Sequence, residues 1–337
     1  MSSMQPKIVF LDAATYGDLS LDLFTRNWDC TVHQVTRPSE TIERVAGHNI
    51  AVTNKVVFDE AILLSTEARD LRLIAVAATG TDIVDKEAAA KCDVTVCNVP
   101  GYATQSVAQF TMALMLELAT CAGQYGGAVK AGEWQNSPVF SVLKFATGEL
   151  AGKKLGIIGY GNIGQAVARM ARGFGMEILI AARPGSPFPM AEDRMPLEEI
   201  FRQSDIVTLH CPLTPETKYL INEKSLALMK PTAFLINTAR GALIDEAALV
   251  DSLRAKRIAA AALDVISTEP PPADHPIIRA AAALNNLLVT PHTAWSAREA
   301  RTRLLTVVKE NIEAYLLGRP RNIVGQLDRI PTRREPL

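Results

Sequence analysis

The segment "LGIIGYGNIGQAVARMARGFG", Leu155 to Gly175, limits the possible folds more than any other part of the chain. An apolar strand runs directly into glycines, and a helical pattern opens straight after them. In Gly159-Tyr160-Gly161-Asn162-Ile163-Gly164, the first glycine permits a tight turn and the second lets backbone amides approach a pyrophosphate. The third lets helix and strand pack closely. The helix N-terminus then offers unpaired N–H groups and a positive dipole end to the phosphates. Glycine clusters also make ordinary turns, so the motif alone is weak. Its position between strand and helix is what argues for a bound dinucleotide.

The surrounding pattern supplies that context. "KIVFLDA", "DCTVHQV", "NIAVTNK", "LRLIAVAA" and "VTVCNV" are short β-branched runs separated by helical or loop segments. A long helical stretch is expected from about Thr104 to Ala131, followed by the loop "QNSPVFSVLKFATGELAG". A second series then continues from the glycine motif through "EILIAA", "DIVTLHC", "AFLINTA", "AAALDV" and "NLLVTP". The last helix carries Leu304, Leu305, Val308, Ile312 and Leu316 at helical spacing and stops at Gly318. Alternation of this kind predicts an α/β protein of two doubly wound parallel-sheet domains, the second beginning near residue 104. Ligands of such sheets bind at the carboxyl ends of the strands, so a cleft between the domains is expected.

Composition excludes several partners. At 337 residues the chain has room for two domains, and its 35 basic and 36 acidic residues leave a net charge of -1. That balance attracts neither nucleic acid nor an anionic membrane, and a small-molecule partner is expected. Cys30, Cys92, Cys97, Cys121 and Cys211 are scattered without a C-x-x-C pair, so neither a disulfide framework nor a metal site is expected. "MSSMQPKIVFLDA" enters a strand without a charged leader, which predicts a cytoplasmic protein. The most apolar stretch, "VAQFTMALMLELATCAG", is interrupted by Gln109 and Glu117 and reads as a buried or interface helix.

The end of the strand "MEILIAA" selects the dinucleotide. A carboxylate there would bond the adenine ribose of NAD and repel a 2′-phosphate. This chain has Ala182 at that place and Arg183 beside it. The expectation is NADP(H) preferred, with NAD(H) possible.

Polar groups that could do chemistry stand at or after three strand ends of the second series. "FLINTARGALID" supplies Arg240, "AAALDVISTEPPP" supplies Asp264 and Glu269, and "LLVTPHTAWSA" supplies His292. A guanidinium matches a carboxylate and its adjacent keto oxygen. A histidine gives and takes protons near neutral pH, and a carboxylate bonded to it favours its protonated form and orients it. With a nicotinamide nearby, this makes one reaction: hydride reaches a carbonyl carbon while the histidine protonates the oxygen. Each residue taken singly has a bland reading, as a loop cap or a solvated charge. Among the other histidines, His33 and His48 read as structural or exposed, His210 as a possible liner of the cofactor cleft, and His275 in "PPPADHP" as part of a surface turn.

"AATGTDIVD", "GYGNIG", "HCPLTPETKYLI", "MKPTAFLINTARGALIDEAAL", "ALDVISTEP" and "TPHTAW" together resemble the D-2-hydroxyacid dehydrogenase family over nearly the whole chain. "NKVVF", "LIAVAATGTD", "VTVCNVPGY" and the tryptophan of "PHTAW" are most similar to its glycerate dehydrogenase and hydroxypyruvate/glyoxylate reductase branch. The resemblance implies a flavodoxin-like substrate domain, 1–103 plus 294–337, and a Rossmann cofactor domain, 104–293, with the active-site cleft between them. It implies Arg240 as the substrate-orienting residue, His292 as acid/base and Glu269 as its partner. Backbone amides at Thr79 and Gly80 would hold the substrate carboxylate, Asn54 and Lys55 would border the substrate, and Trp295 would wall the pocket. The implied cofactor contacts are Val107, Asn162, Ile163, Cys211, Pro212, Thr217, Thr238, Ala239 and Asp264, besides the glycine loop. A homodimer through the helix from Thr104 and the loop after Trp134 is also implied.

The expected activity is therefore reduction of small 2-keto acids, hydroxypyruvate and glyoxylate, to D-glycerate and glycolate. The alternatives are another activity of the family, such as phosphoglycerate oxidation, or a non-enzymatic cofactor sensor like the C-terminal-binding corepressors, which share the fold.

Overall fold

A computed structural model describes residues 5–183, 185 and 191–325. The chain forms two compact units, Met1–Ala103 with Ala297–Leu337, and Thr104–Ser296.

In the first unit five strands, β1 (Lys7–Phe10), β2 (Asp29–Val32), β3 (Ile50–Thr53), β4 (Leu73–Val76) and β5 (Thr95–Cys97), make one parallel sheet in the order β2-β1-β3-β4-β5. That is the flavodoxin-like order, with its reversal between β1 and β3. Strands β3 and β4 are buried at every residue, as expected of unalternating apolar runs covered on both faces, whereas the edge strand β2 is largely exposed. The final helix, Arg298–Leu316, returns to this unit and buries Leu304, Leu305, Val308 and Ile312 along one stripe. Its Asn311 is buried too, and the side-chain amide donates to the Asn98 carbonyl at 2.9 Å. The helix ends at Leu316, two residues before Gly318 at φ 69°.

The second unit holds β6 (Lys154–Ile158), β7 (Glu177–Ile180), β8 (Ile206–Leu209), β9 (Phe234–Asn237), β10 (Ala260–Leu263) and β11 (Leu287–Val289), all parallel, in the order β11-β10-β9-β8-β6-β7. A parallel bridge between Ala181 and Met195 lies beyond β7. Counted as a reduced strand, it restores the outward 3-2-1 run of a dinucleotide-binding sheet, which reverses between β6 and β8.

One expectation needs correction. The stretch from Thr104 is not a single helix but two, Thr104–Thr120 and Ala122–Lys130, bent by 60° at Cys121. Cys121 has φ 53°, and the Glu117 carboxylate accepts from Gly123 N–H at 3.0 and 3.1 Å. That bond satisfies a free amide at the start of the second helix, so the break is capped from within the first. Among the described residues no single helix is long and apolar enough to cross a membrane.

Candidate active site

The glycine loop joins β6 to the helix Asn162–Gly173 at the point where strand order reverses. Gly159 has φ 95°, and a Cβ there would lie 2.4 Å from the Cys211 nitrogen. The turn is thus pressed against the chain leaving β8. A Cβ at Gly164 would meet the Gly159 carbonyl oxygen at 2.2 Å, so the first helical turn lies directly on the loop. Gly161, the N-cap, faces open space, and no side chain caps the helix. An uncapped helix N-terminus behind an open glycine fits a pyrophosphate.

The other residues expected at a cofactor lie on the helix after the loop, just beyond the ends of β7, β8 and β9, or on the helix Thr104–Thr120. Asn162 is exposed and Ile163 half-buried at the helix start. Ala182 is half-buried just beyond β7, where its N–H donates to Met195, and Arg183 is exposed. Cys211 is buried and Pro212 exposed at the end of β8. Buried Thr217 ties that loop, donating to the Pro212 carbonyl at 2.7 Å and accepting from Thr214 N–H at 2.7 Å. Thr111, on the helix that carries buried Val107, shares a hydroxyl bond with Thr238 at 3.1 Å, and half-buried Ala239 follows. His210 is half-buried with its Nδ1 sealed from solvent and unpartnered, and Nε2 is 3.0 Å from Thr208 Oγ1. Burial pushes its pKa down to about 3, so the ring is neutral.

Three further strand ends stand side by side, because Asn237, Leu263 and Val289 are in register across β9, β10 and β11. After β9, fully buried Asn237 donates to the Arg240 carbonyl at 2.9 Å and accepts from Ala239 N–H at 3.0 Å. This knot presents Arg240, half-buried, with one guanidinium nitrogen on the Ala239 carbonyl at 2.8 Å. After β10 comes Asp264, 1 % exposed. Its carboxylate accepts from Thr290 Oγ1 at 2.6 Å, Thr293 N–H at 2.9 Å and Ala294 N–H at 2.8 Å, and its carbonyl accepts from His292 N–H at 2.8 Å. Burial raises the pKa of Asp264 while these bonds pull it down. Asp264, assigned to the cofactor by resemblance, therefore builds the turn after β11.

That turn carries His292 at φ 54°, a left-handed conformation that few side chains adopt. Its Nδ1 meets Glu269 Oε2 at 2.5 Å, and Glu269 Oε1 accepts from Ile266 N–H at 2.9 Å. The carboxylate is thus anchored at one oxygen and orients the imidazole with the other. Trp295 is half-buried three residues further on.

In the first unit, Asn54 and Lys55 follow β3, Asn54 buried and Lys55 exposed. Both backbone N–H groups donate to Asp12, at 3.0 and 2.7 Å, and the Asn54 Nδ2 is sealed from solvent without a partner. Asp12 is 6 % exposed, and burial raises its pKa against the bonds from this loop. Thr79, exposed, donates its hydroxyl to the Val99 carbonyl at 2.9 Å, and Gly80 is half-buried beside it.

Asp12 and Asn237 are not among the residues that the sequence reading singles out. Each is a polar residue closing an apolar run, "KIVFLD" and "FLIN", the same signal that singled out Asp264. His275 is not the surface residue expected. It is 6 % exposed, caps the helix Pro276–Ala283 by accepting from Ile277 N–H, and lies 3.7 Å from Glu246.

Residues 112–294 match the family of D-isomer specific 2-hydroxyacid dehydrogenases, in its NAD binding domain. The chain belongs to that family. It is 41% identical to a glycerate dehydrogenase of Methylorubrum extorquens, over 95% of this chain and 99% of the relative. It is 37% identical to a hydroxypyruvate reductase of Blautia hydrogenotrophica, over 95% of this chain and all of that one. Among solved structures it is similar to an acyclic imino acid reductase in complex with NADPH and D-Arg, at 30% identity and a TM-score of 0.81, covering 94% of this chain and 99% of the other. The protein is thus an oxidoreductase of the D-2-hydroxyacid dehydrogenase family that reduces 2-keto acids with a nicotinamide cofactor.

Proposed function

We propose that the protein is an NADPH-dependent reductase of hydroxypyruvate and glyoxylate, yielding D-glycerate and glycolate. The observation that carries this reading is the 2.5 Å bond between Glu269 and His292, on the same edge of the sheet as Arg240 and the glycine loop. With Nδ1 engaged by Glu269, the transferable proton of His292 sits on Nε2, to be donated to the substrate carbonyl oxygen. Arg240 orients the carboxylate and keto oxygen through its forked donors, and Glu269 holds the imidazole ring in place. A bound reduced nicotinamide supplies the hydride. Thr79 and Gly80 of the first unit hold the carboxylate through backbone amides, while Asn54, Lys55 and Trp295 border the substrate. The second unit holds the dinucleotide through Gly159, Gly161 and Gly164, with Val107, Asn162, Ile163, Cys211, Pro212, Thr217, Thr238, Ala239 and Asp264 around it. Relatives named glycerate dehydrogenase and hydroxypyruvate reductase support the choice of acids.

The preference for NADPH rests on Ala182 and exposed Arg183, which offer a guanidinium and no carboxylate to a 2′-phosphate. Trp134, Val139, Phe140 and Leu143 are 55%, 61%, 92% and 90% exposed along one loop. An apolar run of this kind supports a homodimer through that loop and the helix Thr104–Thr120. Five free cysteines support a cytoplasmic location.

The test is consumption of NADPH and NADH over a panel of 2-keto acids. Hydroxypyruvate or glyoxylate with NADPH is expected to give the highest kcat/KM. A better phosphorylated substrate, or equal efficiency with NADH, would overturn the substrate or cofactor part of the reading. His292→Ala is expected to lower kcat by about 10²–10⁴ with NADPH affinity unchanged. Turnover within a few-fold of wild type would remove His292 as the acid. Sedimentation of Phe140→Glu with Leu143→Glu checks the dimer, and fractionation of the cell checks the location.

A further inference from the structure

We propose that Glu246 is a positioning residue for proton delivery, clamping the turn that keeps Glu269 on the His292 ring. The inference rests on the reading of that pair given above.

Glu246 opens the helix Glu246–Arg254. One oxygen of its carboxylate accepts from Ser267 N–H at 2.7 Å and the other from the Ser267 hydroxyl at 2.9 Å. The next residue back, Ile266, donates its N–H to Glu269. One short turn of chain is therefore held twice, by Glu269 from inside and by Glu246 from outside. A third constraint comes from Gly241, where a Cβ would fall 1.9 Å from the Ile266 carbonyl carbon. The chain that follows Arg240 lies flush on the Ile266–Ser267 backbone, so the turn cannot shift that way. Buried His275 closes the other flank of Glu246 at 3.7 Å.

The pair itself needs such support. The side chains of His292 and Glu269 are 26% and 30% exposed, and a pair open to water holds its own geometry weakly. Glu246 is only 14% exposed although Ser267 is open to solvent, and a carboxylate that takes both a backbone N–H and a hydroxyl of one residue fixes that residue more firmly than a single neutral bond would. The rigid element is the turn, and the exposed pair inherits its geometry.

Three variants test this with hydroxypyruvate and NADPH: Glu246→Ala, Glu246→Gln and Asp245→Ala. Glu246→Ala is expected to lower kcat by about tenfold to a hundredfold, the scale of a misplaced reacting group. KM and the Kd for NADPH should stay within about twofold, and the solvent deuterium isotope effect on kcat should rise as proton delivery slows. Glu246→Gln is expected to recover most of the rate, because its carbonyl still accepts from Ser267 N–H and its amide meets the hydroxyl. Asp245→Ala removes the N-cap bonds to Ala247 and Ala248 of the same helix. It should lower Tm while leaving the isotope effect at its wild-type value. A kcat for Glu246→Ala within about twofold of wild type would overturn the proposal, as would a rise in the isotope effect in Asp245→Ala equal to that in Glu246→Ala. Failure of the parent reading is read separately, as wild-type turnover surviving His292→Ala.

Discussion

Each unit has a crevice where its strand order reverses, and the two are filled in opposite ways. Between β6 and β8 the chain places Gly159 against Cys211 and leaves Gly161 facing open space. Between β1 and β3 it places the buried carboxylate of Asp12, which takes the backbone N–H groups of Asn54 and Lys55. In the first crevice the glycines leave backbone amides uncovered, where the proposed reading seats the cofactor's phosphates. The second supplies its own anion, which holds a loop. One topology thus yields an open glycine turn in one unit and a loop held by its own carboxylate in the other.

Filling the emptied crevice should have the largest effect. Gly159→Ala forces a side chain into φ 95° and to within 2.4 Å of Cys211 nitrogen. Strain of about 1–3 kcal/mol is expected, read as roughly tenfold to a hundredfold weaker NADPH binding and a lower Tm. Unchanged binding would mean that the turn is not the receptor. Emptying the filled crevice is the converse experiment. Asp12→Ala leaves two amide donors without their acceptor, at a cost of about 1–3 kcal/mol of stability. It should raise KM for the 2-keto acid and spare the Kd for NADPH; the reverse pattern would break the comparison.

Taken per unit of pH, the smallest effect concerns His210, whose backbone lies against Gly159. Its pKa is pushed down to about 3, while an unfolded histidine titrates near 6.5. Between these values the unfolded chain takes a proton that the folded chain refuses. Stability is therefore full above about pH 6.5 and falls as pH drops toward 3, by at most about 1.4 kcal/mol per unit. His210→Asn should flatten that slope in urea titrations of the cofactor-free protein between pH 6.5 and 4. An unchanged slope would show that the ring is not the group that resists protonation.

The fold was largely legible because a parallel sheet buried on both faces writes each strand as an apolar run, and the glycine loop marked where the second sheet begins. Arg240, Glu269 and His292 stood at strand ends in the sequence, but the 2.5 Å pairing of the last two is set by a turn that only folding brings beside β11. The break at Cys121 was hidden because it is made by a side chain, Glu117, reaching Gly123, and no proline announces it. His275 misled for a related reason: three prolines suggested a surface turn, while the folded chain buries it and brings it to 3.7 Å from Glu246, 29 positions earlier in the sequence. Asp12 carried the same signature as Asp264, yet nothing in a single strand end says whether its carboxylate will meet a ligand or its own chain.

The four hydrogen bonds that tie the His292 turn to Asp264 also say something about how relatives can diverge. An imidazole hung from so fixed a hook cannot swivel to follow acids of different length. With His292 as the acid proposed above, new substrates must be accommodated by remodelling whatever borders the tail of the acid. Chemistry and selectivity are in this way assigned to separate parts of the chain, and the second can drift while the first stands still.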